Sequence, residues 1–210
     1  AEWAATDLHR LSYDEVRDRY TKLLSQHAND KHALAIMGLS DRYFLLTVLL
    51  GRKDMLHPWI FARCREVEAA PDGHLDLWAR DHMKTSIITN GGAVQEILRD
   101  PEITIGLFSH TRPTAKKFLI AIKREFETNE LLKSIYPDVL WKEPKREAPS
   151  WSEDGGLIVK REGNPKESTL EGWGLVDGQP TSRHYLLRIY DDVVTRESVT
   201  TPEMVKKTTE

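Results

Sequence analysis

A chain of 210 residues, 40% apolar and 30% charged, is long enough for one domain with a good core, or for one domain and a small appendage. A net charge of −3 excludes a generally basic nucleic-acid coat, so any DNA contact has to be local. No apolar run approaches the ~18 residues of a membrane span, and a lone cysteine, Cys64, excludes a disulfide framework or a cysteine-built zinc site.

A reducing compartment is therefore expected, with Cys64 a small core residue. The opening residues AEWAATDLHR lack the basic start and apolar core of a secretory signal. The absence of an initial Met and the charged, helix-like tail MVKKTTE are what an excised piece of a longer protein would show.

Residues 1 to about 70 read as helical. Leu8, Leu11, Tyr13, Val16, Tyr20, Leu23 and Leu24 recur at helical spacing, with Ser12 or Asp14 near a start. Asp30 is positioned to cap a second helix through Leu39, and Ser40 a third, DRYFLLTVLL; HPWIFARCREVEAA follows after the break at Gly51–His57. Nothing in this region points to chemistry, and it reads as a helical appendage or support layer.

From Pro71 the texture changes. HLDLWA, His74–Ala79, alternates as a short strand does, and KTSIITNGGAVQEILRD is a helix with Ile87, Gly91, Val94 and Leu98 along one face. ITIGLFS, Ile103–Ser109, is a near-continuous apolar run of the kind found in buried parallel strands. The next helix is TRPTAKKFLIAIKREFETN, with Pro113 in its first turn and Ala115, Phe118, Leu119, Ile122 and Phe126 as its buried stripe. This order predicts a βαβα unit with a right-handed crossover. GLIVKR and STLEGWGLV flank a turn-prone EGNPKE and predict a hairpin, DGQPTSR a loop, and HYLLRIYDDVV a last strand ending in two carboxylates. The class is α/β with parallel strands at the centre.

The chemistry concentrates in ARDHMKTS. A phosphate-binding loop needs converging backbone N–H groups, a helix N-terminus and a lysine for the β and γ oxygens, with a hydroxyl after the lysine for Mg²⁺. Lys84 and Thr85 stand at a predicted first helical turn, and Arg80 adds a cation within the loop. The usual pattern G-x-x-x-x-G-K-[ST] requires glycine where Trp78 and Met83 stand, so a plain exposed turn fits the same residues. Asp191 and Asp192 end a predicted strand, at the end of a parallel sheet that carries the ligand crevice. One such acid can hold hydrated Mg²⁺ while its neighbour orients and deprotonates the attacking water.

Taken together, these segments resemble the ATPase domain of the large terminase subunit, the motor that packages DNA into tailed-phage capsids. That family's phosphate loop often reads PRGHxKS, and ARDHMKTS is similar to it. ITIGLFSHTRPTAKKFLIAIKREFETNELLKSIYPDV is similar to the second strand and following helix, and ESTLEGWGLVDGQPTSRHYLLRIYDDVVT to the run into the Walker B strand; the likeness covers roughly Trp59 to Thr195. It implies a three-layer P-loop NTPase fold of the ASCE or RecA-like kind, with a mostly parallel central sheet and its C-terminal strands missing. The implied domains are an N-terminal helical region, residues 1–56, and a P-loop ATPase domain, residues 57–210.

The cofactors implied are ATP and Mg²⁺. Lys84 would bind the β and γ phosphates, Asp81, His82 and Met83 would cradle phosphate, Arg80 would be the loop arginine, Thr85 would ligate Mg²⁺ with Ser86 nearby, and Asp191 would be the metal-side acid. Asp192 stands where many members carry a catalytic Glu, one methylene longer. Arg183 is a candidate arginine finger toward a neighbouring subunit, a role worth roughly 10³–10⁵ in rate; a plain surface arginine is the alternative. The implied partners are double-stranded viral DNA, the portal protein of the procapsid, the small terminase subunit and further copies in a homo-oligomeric ring. The setting would be the host cytoplasm, transiently docked on the portal, with no membrane.

The family's Ser/Thr-rich coupling motif and its nuclease domain have no counterpart before Glu210. A helicase-like or other nucleic-acid-translocating ATPase is the first alternative; a non-catalytic α/β interaction module is the second. His74, His82, His110 and His184 are too scattered for a metal site. Trp59 and Phe61 suit either adenine stacking or the core. Lys116, Lys117, Lys123 and Arg124 form either a DNA-tracking stripe or an ordinary solvated face.

Overall fold

The computed structural model describes residues 10–69, 73, 75–177, 180–195 and 199–209, without the side chains of Met204 and residues 207–209. Leu8, Pro71, His74 and the centre of the DGQPTSR loop lie outside the described residues. The elements in chain order are α1 (Tyr13–His27), α2 (Lys31–Ser40), α3 (Arg42–Phe44), α4 (Pro58–Glu68), α5 (Gly91–Arg99), β1 (Ile105–Ser109), α6 (Arg112–Thr128), α7 (Glu130–Ile135), α8 (Pro144–Glu147), β2 (Trp151–Ser152), β3 (Gly156–Leu157), β4 (Leu170–Gly174), β5 (Leu187–Tyr190) and α9 (Pro202–Thr209). Two wide π-helical turns extend this set: Leu45–Leu49 continues α3, and Thr85–Asn90 leads into α5. The chain is mixed α/β. Among the described residues no single helix is long and apolar enough to cross a membrane.

Two compact units form. The first comprises residues 1–99 and 129–137; the second, residues 100–128 and 138–210. Residues 57–99, assigned from sequence to the ATPase domain, thus pack with the N-terminal helices.

In the first unit the expected caps form. Ser12 and Glu15 close a capping box on α1, and the Asp30 side chain accepts the Ala33 N–H at the start of α2. Asp41, not Ser40, caps α3, accepting the Phe44 N–H at 3.1 Å. Tyr20, Tyr43, Phe44 and Phe61 are buried together, with Tyr20 edge-on to Phe44 and Tyr43 edge-on to Phe61. Cys64 is fully buried, and burial pushes its thiol up to about 12, which makes it inert at neutral pH.

A polar network runs through this helical core. Asp41, with no exposure, accepts Arg65 Nη1 and Nη2 at 3.0 and 2.7 Å and also the Tyr20 hydroxyl. Glu68 accepts the Arg42 N–H at 2.6 Å and Arg65 Nη1 at 3.0 Å. Arg42 Nε donates to Gln95 on α5 at 3.1 Å, and the Gln95 amide donates to the Gly38 and Leu39 carbonyls that end α2. Burial pulls the Arg65 guanidinium down, but its hydrogen bonds to Asp41 and that carboxylate's charge outweigh it and hold Arg65 above its ordinary pKa. Gly91 lets α5 approach the π turn after α3, because a Cβ there would lie 2.9 Å from Leu46 Cδ2.

In the second unit the sheet order is β2-β3-β4-β1-β5, with β1 parallel to both β4 and β5, and β2 and β3 antiparallel additions. The expected hairpin is therefore only a short β3–β4 pairing, Leu157 opposite Leu170, while β4 gives its length to β1. Ile105, Leu107 and Ser109 share one sheet face with Leu170, Gly172 and Gly174 and with Leu187 and Ile189. Helix α6 lies on that face: a Cβ on Gly172 would touch the Ala115 backbone at 3.4 Å. Its buried stripe is Ala115, Leu119, Ile122 and Phe126, as the periodicity predicts.

One element is corrected. Residues 75–79 form no strand; Leu75 and Leu77 are 76% and 84% exposed. Alternation supplies an apolar edge, but among the described residues no strand pairs with it, and an unpaired strand has no ladder to hold it.

Replacing Asp41 by Ala strips a buried guanidinium of one of its two carboxylate partners and the Tyr20 hydroxyl of its acceptor, so Asp41→Ala should destabilise the fold by about 3–5 kcal/mol, read by denaturant unfolding.

Candidate functional site

The predicted phosphate loop belongs to the first unit. Asp81 has φ 63° and Met83 φ 58°, both in the left-handed region that side chains with a Cβ rarely enter. Met83 stands where the consensus carries its second glycine. The loop has thus taken a glycine's backbone conformation without the glycine, at a local cost of about 1–3 kcal/mol per residue.

What holds it there is visible on both sides of the turn. The Met83 carbonyl accepts the Ile87 N–H at 2.9 Å, the first bond of the helix that begins at Lys84. His82 Nδ1 bonds the Arg80 carbonyl at 2.7 Å, closing the loop on itself. Trp59, in the first turn of α4, meets Trp78 and His82 edge-on, with ring centroids 5.6 and 5.0 Å away. Trp59 is a brace for the loop, and Phe61 is core.

Lys84, Thr85 and Ser86 form the first turn of the helix and are half-buried. The π-helical turn that follows is a wide form often found at functional sites. Arg80, Asp81 and His82 are exposed. Sequence reasoning passed over Arg52: its Nη2 lies 3.5 Å from Ser86 Oγ, and its fork is oriented by Asp54 at 2.9 and 2.7 Å. That guanidinium holds the Asp54 carboxyl below its ordinary pKa. No local pattern marked Arg52, because its relation to Ser86 spans 34 positions.

The acid pair belongs to the second unit. β5 runs beside β1, and the ladder carries on past its last paired residues: the Asp191 N–H donates to the Phe108 carbonyl at 2.9 Å, and the His110 N–H to the Asp192 carbonyl at 3.2 Å. Asp191 is 3% exposed and Asp192 is exposed. Asp192 has φ 50°, so the chain turns sharply after Asp191 and the two carboxylates part company. One acid sits inside the sheet's carboxyl end; the other faces water.

Arg183 does not extend freely. Its Nη1 donates to the Lys166 carbonyl at 2.7 Å, and its Nε lies 3.7 Å from Glu171 Oε2. Glu171 is buried, and its carboxylate accepts the Tyr185 hydroxyl at 2.6 Å and the Ser168 N–H at 2.8 Å. Burial first, then this carboxylate, push the Tyr185 phenol well above its ordinary pKa. In α6, whose basic face reads from sequence as either a DNA-tracking stripe or an ordinary solvated face, Lys116 pairs with Asp154 at 2.6 Å and Lys123 with Glu127 at 3.1 Å.

The loop residues therefore come together as one turn in the first unit, and the two acids as one strand end in the second. Among the described residues no cluster of three or more His, Cys, Asp or Glu side chains exists to chelate a metal. Mg²⁺ does not require one, since it keeps several waters and is commonly held by one or two carboxylates and phosphate oxygens. Thr85, a hydroxyl at a helix start, and Asp191 are donors of the type it takes. Compared with protein-family models, curated proteins and solved structures, the chain finds no significant match.

If the loop strain lies in the Cβ at position 83, Met83→Gly should leave thermal stability unchanged or raise it. The β-branched Met83→Val should lower it by about 1–3 kcal/mol, read from thermal unfolding.

Proposed function

We propose that the chain is a nucleotide-hydrolysing motor domain of P-loop type, acting as the ATPase of a large terminase subunit that drives double-stranded DNA into a viral procapsid. The observation that carries the ATPase reading is the backbone of Asp81–Met83. A helix start preceded by a strained, left-handed, glycine-free turn and followed by Lys-Thr-Ser is a costly arrangement for an ordinary connection, and a useful one for an anion. The motor assignment rests on the likeness of ARDHMKTS and LLRIYDD to that family's motifs.

In this reading the Lys84 ammonium and the first-turn N–H groups take the β and γ phosphates, and Arg80 answers charge that grows on the transferred group. Bound Mg²⁺ would supply charge neutralisation of the phosphates; Thr85 in the first unit and, separately, Asp191 in the second are groups of the type that hold it. Asp192, the exposed acid of the second unit, has the chemistry of a group that orients a water and accepts its proton. Phosphoryl transfer asks mainly for position and field rather than for a covalent intermediate. Arg183, engaged with Lys166 and Glu171, is better suited to holding the approach to β5 than to reaching into a neighbour.

A fluorescent ATP analogue with Mg²⁺ tests the reading. The wild-type chain should bind it saturably, and Lys84→Ala should weaken binding at least about ten-fold with an unchanged circular dichroism spectrum. Wild-type affinity in Lys84→Ala would refute the assignment. Asp192→Asn should instead keep binding and lose turnover, measured as phosphate release in the assembled motor.

A further inference from the structure

Ser109 ends β1, is fully buried, and its Oγ has no hydrogen-bond partner among the described residues. A buried hydroxyl left unbonded is costly, and most such groups find a partner or a bound water. Ser109 also has a particular neighbour. The β1–β5 register pairs Phe108 with Tyr190, and the Asp191 N–H donates to the Phe108 carbonyl at 2.9 Å, which sets Asp191 directly across from Ser109. By strand alternation both side chains stand on the face shared with Ile105, Leu107, Leu187 and Ile189. Asp191 is itself buried. At the carboxyl end of two parallel strands, a buried hydroxyl and a buried carboxylate are side by side.

We propose that Ser109 is a second protein group of the divalent-cation site, its Oγ accepting a hydrogen bond from a water of the hydrated ion held by Asp191. This rests on the reading of Asp191 as the metal-side acid. The chemistry suits both groups: an ion that keeps its waters presents donors, and Asp191 and Ser109 present acceptors. Neighbours at this depth tune affinity by orienting the inner shell. Ser109 is thereby a positioning residue.

The test uses the full chain and Mn²⁺ alone, followed by electron paramagnetic resonance, with thermal unfolding measured in metal-free buffer. Wild type should bind one Mn²⁺, Asp191→Asn should lose it, and Ser109→Ala should weaken it roughly ten-fold. A merely structural serine would lower the melting temperature on replacement; here Ser109→Ala in metal-free buffer should melt no lower than wild type. Unchanged Mn²⁺ affinity in Ser109→Ala, a lowered melting temperature, or no binding by wild type overturns the proposal. Ser109-dependent Mn²⁺ binding in a chain that takes no nucleotide would keep this site and remove the ATPase reading. Nucleotide binding with Mn²⁺ affinity indifferent to Ser109 would do the reverse.

Discussion

The buried pair of Asp41 and Arg65 is the constraint on which the helical unit depends. Asp41 ends α2, caps α3, receives Tyr20 from α1 and binds Arg65 of α4 through both terminal guanidinium nitrogens. From Glu68, which shares Arg65, the network passes through Arg42 to Gln95 on α5 and back to the end of α2. Every helix that supports the Lys84 loop is tied to it: α4 carries Trp59, and α5 is the continuation of the helix Lys84 begins. A buried ion pair is not by itself strong evidence for stability, because desolvation offsets much of its attraction. Its consequence here is specificity, since five helices must arrive in one arrangement for all its bonds to close.

That rigidity has a use at the loop. A non-glycine residue held at positive φ persists only when its surroundings over-determine it. The Trp59–Trp78–His82 contacts and the His82 bond to the Arg80 carbonyl supply that restraint. Glycine would give the same backbone at less strain but with more freedom in the unbound loop. The second unit solves a different problem, separating two adjacent acids. The left-handed turn at Asp192 leaves Asp191 inside the sheet end and Asp192 in water, so neighbours in sequence acquire unlike environments.

Much of this was legible from residue order. The caps at Ser12 and Asp30, the stripe of α6, the central strand IGLFS and the strand LRIY ahead of the acid pair all follow from local pattern, because each is fixed by neighbours a few residues away. The exposed segment at Leu75–Ala79 was misread because alternation reports only which side a strand would bury, not whether a partner exists. The role of Asp41, the nearness of Arg52 to Ser86, and Ser109 beside Asp191 were not legible. Each depends on packing across tens of positions, and none carries a motif. The left-handed Met83 was the opposite case: the sequence pointed against a phosphate loop by lacking glycine, and the backbone adopted that conformation regardless.

In the proposed ATPase the turn at Asp81–Met83 and the helix start after it would form a phosphate cradle. Backbone amide shifts in a ¹⁵N-labelled chain titrated with Mg²⁺ and a non-hydrolysable ATP analogue test it most directly. A phosphate cradle there gives saturable displacement of the Met83, Lys84, Thr85 and Ser86 amide signals along one binding curve. Those four signals standing still while the nucleotide binds elsewhere, or not at all, would contradict it.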